Sequence, residues 1–165
     1  MKRRKLFAEM PVISGEKVLL KQTEMKDSPH MEYMFERRLS EKYTAMMVRA
    51  FERKFKEKES LVLGIYERKT GILAGVIEAY DMQDDGSVQI GYRVSPAFQN
   101  RGYAKEAVSL FVPWLMDRED IQYLRAYADS DNKASQKILT GCGFRKQKET
   151  AEEVSYRFGR EDHEE

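Results

Sequence analysis

The chain has 165 residues, 29 Lys plus Arg against 28 Asp plus Glu, a net charge of +1 and one cysteine, Cys142. That length fits one domain able to bury roughly 68–70% of the surface its unfolded chain exposes, and the even charge supplies no global field for nucleic acid or an anionic membrane. A single thiol excludes an internal disulfide and a Cys-rich zinc framework, and no segment reaches the ~20 apolar residues of a membrane span, so the expected setting is the cytoplasm.

The opening "MKRRKLFAEM" is basic but lacks the apolar run of a signal peptide, and residues from about 1 to 10 are expected to form a tail, as are the acidic residues 160–165. Val18 and Leu20 in "EKVLLKQ" alternate as a strand. Ser28-Pro29 then offers an N-cap and a first-turn proline, which predicts a helix through about Leu39. From Ser40 a second helix is predicted, with Tyr43, Met46, Met47, Ala50, Phe51 and Phe55 on its apolar face. The period then changes to two. "LVLGIYE", "ILAGVIEAY" and "SVQIGYRV", separated by turns at Lys69-Thr70-Gly71 and Asp85-Gly86, read as three antiparallel strands. In the last of them Val88, Ile90, Tyr92 and Val94 face one way and Gln89, Gly91 and Arg93 the other.

Ala104, Ala107, Val108, Phe111 and Leu115 return to helical spacing, and Pro113, which removes the bond to Ser109, is expected to kink or end that helix. "YLRAYA" at 123–128 is a strand, followed by a helix from about Asn132 with Ser135, Ile138, Leu139 and Cys142 on one face and Gly143 as its stop. "EVSYRFG" closes the pattern as a strand. The order β-α-α-β-β-β-α-β-α-β predicts one α/β (α+β) domain whose mixed, mostly antiparallel sheet is flanked by helices.

The stretch "SPAFQNRGYAKEA" puts Gly102 at a helix entrance, where a chain turns tightly and presents N–H groups without intrahelical partners. Such a terminus favours anions, and the amides of about Arg101 through Lys105, with the Arg101 and Lys105 side chains, form a candidate phosphate cradle. The same pattern also fits a tight strand-to-helix turn with solvated charges. It lacks the spacing of a P-loop and the three glycines of a dinucleotide turn.

"QNRGYA" at 99–104 resembles the Gln/Arg-x-x-Gly-x-Gly/Ala loop of the GNAT superfamily of N-acetyltransferases. "YRVSP" stands where the family strand splays at a bulge, and "ADSDNKASQKILTGCGF" is similar to the family's second motif. "IGYRVSP", "GYAKEA" and "NKAS" together resemble the ribosomal-protein N-terminal acetyltransferases of the Rim type and their small-molecule relatives. The resemblance implies acetyl-CoA as cosubstrate and no metal. It implies a backbone contact from Val94 to pantetheine, and a pyrophosphate held by Gln99, Arg101, Gly102, Tyr103, Ala104 and Lys105. Asn132 and Ser135 would lie beside the thiol arm, although both also suit local capping.

Acetyl transfer requires a neutral amine, a polarised thioester carbonyl and a leaving thiolate that can be protonated. An α-amine costs about 1 kcal/mol to deprotonate at pH 7, a lysine about 4–5 kcal/mol, so an α-amine acceptor needs only a weak base. A backbone N–H near Val94 or Ser95 is the candidate carbonyl donor. Glu78 is the candidate base, because it shares a face with Val76 and Tyr80; a solvated outer-face glutamate is the other reading. Two positions depart from the family pattern: Gln89 stands where Rim-type chains often carry Glu, and Leu139 where many members place a tyrosine acid. Ser135 or Tyr127 would then serve the leaving thiolate, or the thiolate leaves unassisted. Cys142, on a helix core face, reads as a buried structural thiol, and Met31, Met34, Met46 and Met47 as core filling. The expected function is acetyl-CoA-dependent N-acetylation of a primary amine, on a small molecule or a protein N-terminus, by a monomer or homodimer. A catalytically silent CoA-binding regulatory module and a cofactor-free scaffold are the alternatives.

Overall fold

In the computed structural model, which describes residues 5–160, eight strands form one mixed sheet. They are β1 (Ile13–Ser14), β2 (Val18–Lys21), β3 (Leu61–Glu67), β4 (Leu73–Tyr80), β5 (Ser87–Val94), β6 (Tyr123–Asp129), β7 (Arg145–Glu149) and β8 (Glu153–Gly159). Their spatial order is β1-β2-β3-β4-β5-β6-β8-β7. Every neighbouring pair is antiparallel except β5 and β6.

That parallel pair positions the site. It is joined only from Ser87↔Tyr123 to Gln89↔Arg125, yet β5 runs on to Val94 and β6 to Asp129. The downstream halves of the two strands therefore splay apart, leaving a gap in the middle of the sheet.

Among the described residues three α-helices complete the fold: α1 (Glu41–Lys56), α2 (Tyr103–Met116) and α3 (Lys133–Gly141). The inward residues of α2, among them Ala107, Val108, Phe111 and Leu115, pack on Leu63, Ile65, Ile77 and Ile90 in the main core. A smaller cluster of Met31, Met34, Val48, Tyr66 and Leu73 joins the opposite face of the sheet to α1. Ser40 caps α1 by accepting from the Tyr43 N–H at 3.1 Å, while Arg53, Lys54 and Lys56 complement the dipole at its other end.

The structure departs from the sequence reading at several places, each for a physical reason. No α-helix fills 28–39; Met25–Met31 is a 3-10 turn with Pro29 inside it, and the chain is held by buried Asp27, which accepts from the Tyr66 hydroxyl at 2.8 Å. The inward stripe of α1 is buried Thr44 and Val48 with half-buried Met47, Phe51 and Phe55, so Tyr43 and Met46, each 53% exposed, point outward. Met31, Met34 and Met47 do pack in the small cluster. Pro113 lies on the exposed side of the last turn of α2, and the helix continues to Met116. β7 was invisible because all five of its residues are exposed, as befits a charged edge strand. Residues 5–10 are no tail: Leu6 is fully buried, and Phe7 packs edge-on against Phe55 at 5.5 Å. Arg160 donates to the carbonyls of Met116, Arg118 and Ile121. The tails expected over 1–4 and 161–165 lie outside the described residues.

Candidate active site

The site begins at the turn between β5 and α2. Asn100 (φ 63°) and Gly102 (φ 80°) both adopt the left-handed region, which lets the chain reverse within a few residues. Gly102 caps α2 without a side-chain hydrogen bond, so the first N–H groups of the helix have no capping side chain. Anions are favoured there. The charges around the turn differ from expectation. Arg101 turns away from the helix entrance: its guanidinium bonds Glu67 at 3.0 Å and lies over the Phe98 ring at 5.2 Å. Glu67 is 2% exposed and also accepts from the Tyr103 hydroxyl and from Thr70 at 2.8 Å. The Tyr103 bond, followed by Thr70, holds the Glu67 carboxyl below the ordinary range. Arg101 and Tyr103 thus tie the turn to the β3–β4 hairpin, and the Arg101 charge is offset. The cation at the turn is Lys17, whose Nζ lies 3.4 Å from the Arg101 carbonyl and 3.1 Å from where a Gly102 Cβ would stand.

A cleft of about 740 Å³ runs from this turn into the gap between β5 and β6. Backbone direction along β5 follows from its partners. The Ser95 N–H donates to Ala74 O at 2.8 Å, and the Arg93 carbonyl crowds Gly75 so closely that a Cβ there would collide with it. Residues 93 and 95 therefore face β4, and Tyr92 and Val94 between them face the gap. Of the two candidate carbonyl donors, the Ser95 N–H is engaged by the sheet; the Val94 N–H is the one directed into the cleft. The Val94 carbonyl accepts from the Gln99 side chain at 3.1 Å.

The cleft opens on both faces of the sheet. On the α3 side the Tyr92 hydroxyl lies 2.8 Å from Ser135 Oγ, and burial pushes its pKa up to about 12. Asn132 accepts from the Ser135 N–H at 3.1 Å, so both residues line the cleft and cap α3 together. On the α1 side Arg93 lies over the Phe35 ring at 5.1 Å at the cleft mouth. Glu78 shares that face, opposite Gly91 in register and outside the residues that line the cleft. Burial raises its pKa, with Lys54 acting in the lowering sense. Near it, Gln89 donates to the Tyr80 hydroxyl at 2.8 Å and accepts from Arg125 at 3.4 Å, a fixed amide and not a base. Tyr127 projects on the Arg125 face of β6 and is 43% exposed. Cys142 donates weakly to Lys105 O at 3.8 Å, and burial raises its pKa, which keeps the thiol protonated.

Sequence reasoning passed over Tyr92, Lys17 and Glu67. Tyr92 was legible in part, since a tyrosine on an inward face needs a partner for its hydroxyl. Lys17 and Glu67 carried no signal, because they meet Arg101 across 84 and 34 residues of chain.

Comparison with known proteins bears on what this arrangement does. The profile of the acetyltransferase (GNAT) domain family matches residues 19–145. The uncharacterized N-acetyltransferase YoaA of Bacillus subtilis (strain 168) is 29% identical over 102 residues, 61% of this chain and 58% of its own length. RimL, a ribosomal L7/L12 alpha-N-protein acetyltransferase solved with coenzyme A, superposes with a TM-score of 0.76 at 15% identity, covering 90% of this chain and 98% of that one. The microcin C7 self-immunity acetyltransferase MccE, solved with acetyl-CoA and AMP, gives 0.75 at 16% identity, covering 88% and 93%. These two likenesses are of fold.

Proposed function

The chain belongs to the acetyltransferase (GNAT) domain family, and on that premise we propose that it moves the acetyl group of acetyl-CoA directly to an amine of a small molecule or a protein N-terminus. The observation that carries this reading is the gap between β5 and β6, open on both faces of the sheet, with the phosphate-favouring turn on one side and Glu78 on the other. When bound, acetyl-CoA supplies an activated acyl carbonyl and a thiolate leaving group. The residues present suit it. The amides at 103–105 and the Lys17 ammonium bind the diphosphate, and Lys105 adds charge at the cleft. The Val94 N–H, fixed by the sheet, polarises the acyl carbonyl without reorganising. The Ser135 hydroxyl would donate a hydrogen bond to the departing thiolate, which takes its proton from solvent, and Tyr92 holds that hydroxyl in place. Glu78 takes the amine proton through water, since it stands back from the cleft. Cys142 is half-buried, where the sequence led to a buried thiol, and its pKa is raised, so the transfer is read as direct, with no acyl-enzyme step.

Free-thiol release with a panel of amines tests the reading. In Ser135→Ala, kcat is expected to fall about tenfold with little change in KM for acetyl-CoA, less than a full general-acid effect because a thiolate leaves readily. Tyr92→Phe is expected to fall in the same direction by a smaller factor. Unchanged kcat in Ser135→Ala would remove this serine from the reaction. Acetyl-CoA binding without thiol release for any amine would favour a silent CoA-binding module.

A further inference from the structure

The mouth of the cleft on the α1 side holds charged residues with no part in the transfer above: Arg93, Glu36 and Asp129. Arg93 is exposed, and its guanidinium lies over the Phe35 ring at 5.1 Å. Among the described residues it pairs with no carboxylate. The strand fixes where this charge stands. Arg93 is opposite Val76 in register, on the face of β5 that Gln89 and Gly91 share. The next residue, Val94, directs its N–H into the gap, so the cation stands one residue from the proposed donor to the acyl carbonyl.

Asp129 stands on the other lip. It lies on the Arg125 face of β6, and Arg125 bonds Gln89 across the sheet, so Asp129 and Arg93 share one face. Each lies four residues past the Gln89↔Arg125 pair, where the strands have splayed, and among the described residues no ion pair joins them. The mouth thus sets a cation against a carboxylate across the gap, with exposed Glu36 beside them. An acceptor amine arrives as an ammonium, which suits Asp129 and Glu36. A simple amine or a polyamine, however, meets Arg93 as a like charge beside the reacting carbonyl. An amine that also bears a carboxylate brings the partner Arg93 lacks, and the guanidinium fork matches that group with two parallel donors.

We propose that Arg93 determines acceptor specificity by pairing with the carboxylate of a small zwitterion, a primary amine that carries a free carboxylate, while Asp129 faces its ammonium from the opposite lip. The inference rests on the functional reading above and narrows the acceptor to a small molecule. A peptide N-terminus has an amide where that carboxylate would be.

Thiol release at saturating acetyl-CoA tests this on the wild type, Arg93→Gln and Arg93→Lys. The acceptors are glycine, β-alanine, leucine and phenylalanine, each beside its amide, and trialanine amide as a peptide N-terminus. Each acceptor is compared between proteins, so differences in amine basicity cancel. In Arg93→Gln, kcat/KM for the free acids is expected to fall about 30-fold, the scale of one charge-assisted pair, with the loss carried by KM. The amides, which have no carboxylate to lose, are turned over at least as well as by the wild type. Arg93→Lys keeps the charge without the fork and is expected to restore part of the loss. KM for acetyl-CoA stays within about twofold in both variants, and a retained melting transition verifies that they fold. Acids and amides that lose alike, a loss for the acids below about threefold, or a raised KM for acetyl-CoA without that split overturns the proposal. So does a wild type that uses the amides or trialanine amide and none of the free acids. If no amine releases thiol, the functional reading itself fails and takes this inference with it.

Discussion

Gly102→Glu is expected to weaken acetyl-CoA binding at least about 100-fold in a protein that still folds, the loss of one or two charge-assisted hydrogen bonds. The size of the effect comes from charge and only slightly from bulk. A Cβ at Gly102 meets nothing but the far end of the Lys17 side chain, at 3.1 Å. The left-handed φ of 80° adds strain of roughly 1–2 kcal/mol for any side chain. A carboxylate there, however, would pair with Lys17 and compete for the N–H groups of residues 103–105, the groups proposed to hold the diphosphate. Gly102→Ala separates the two contributions: it carries the strain without the charge and is expected to weaken binding only a few-fold. Calorimetry on both variants decides. Near-wild-type affinity in folded Gly102→Glu would mean that the phosphates bind elsewhere.

Glu78→Gln is expected to lower kcat/KM about 100-fold at pH 7, the lower end of general-base effects. The loss should shrink as pH rises toward 9.5, because an α-amine acceptor then arrives neutral without help. Parallel pH profiles for the two proteins would remove Glu78 as the base, and a uniform loss at every pH would assign it to acceptor positioning. Stability provides an independent check whose sign is fixed. Burial raises the Glu78 pKa above its unfolded value, so its contribution to stability is fully present below the unfolded pKa and is lost as pH rises through the folded one. As pH rises through the folded pKa the wild type loses stability that Glu78→Gln, which has no charge to bury, keeps, so the variant's melting advantage is expected to grow with pH. A variant slower in turnover yet more stable is the pattern of a residue kept for function.

The parts of the fold that were legible are those where local pattern and tertiary role coincide. Strands β3, β4 and β5 alternate between two buried faces and are bounded by turn residues, and the structure places β3 and β5 over the same residues as the sequence reading. The Gly102 turn was legible because it separates a period of two from a period of 3.6. Asn132 was legible as a cap, and its side chain accepts the Ser135 N–H, whereas Ser40 was legible only as the start of a helix that its side chain turns out to cap. What escaped depends on contacts between distant segments. The region 28–39 reads as a helix until Tyr66 is known to bond Asp27 just before it. Glu67 meets the Arg101 charge from a distant strand, and the Lys17 ammonium arrives from the β1–β2 turn with no local mark. The splay of β5 from β6 is topological, and only its family counterpart, through "YRVSP", pointed to it.

The central claim is that the turn and the gap together form an acetyl-CoA site, and titration of acetyl-CoA into the wild-type chain tests it most directly. The account predicts saturable one-to-one binding with a dissociation constant between about 1 μM and 1 mM, the usual range for enzyme substrates. It also predicts slowed amide exchange at Val94 and at Tyr103 through Lys105, where the N–H groups become engaged. No saturable binding at millimolar acetyl-CoA, or saturable binding that leaves exchange at those amides unchanged, would contradict it.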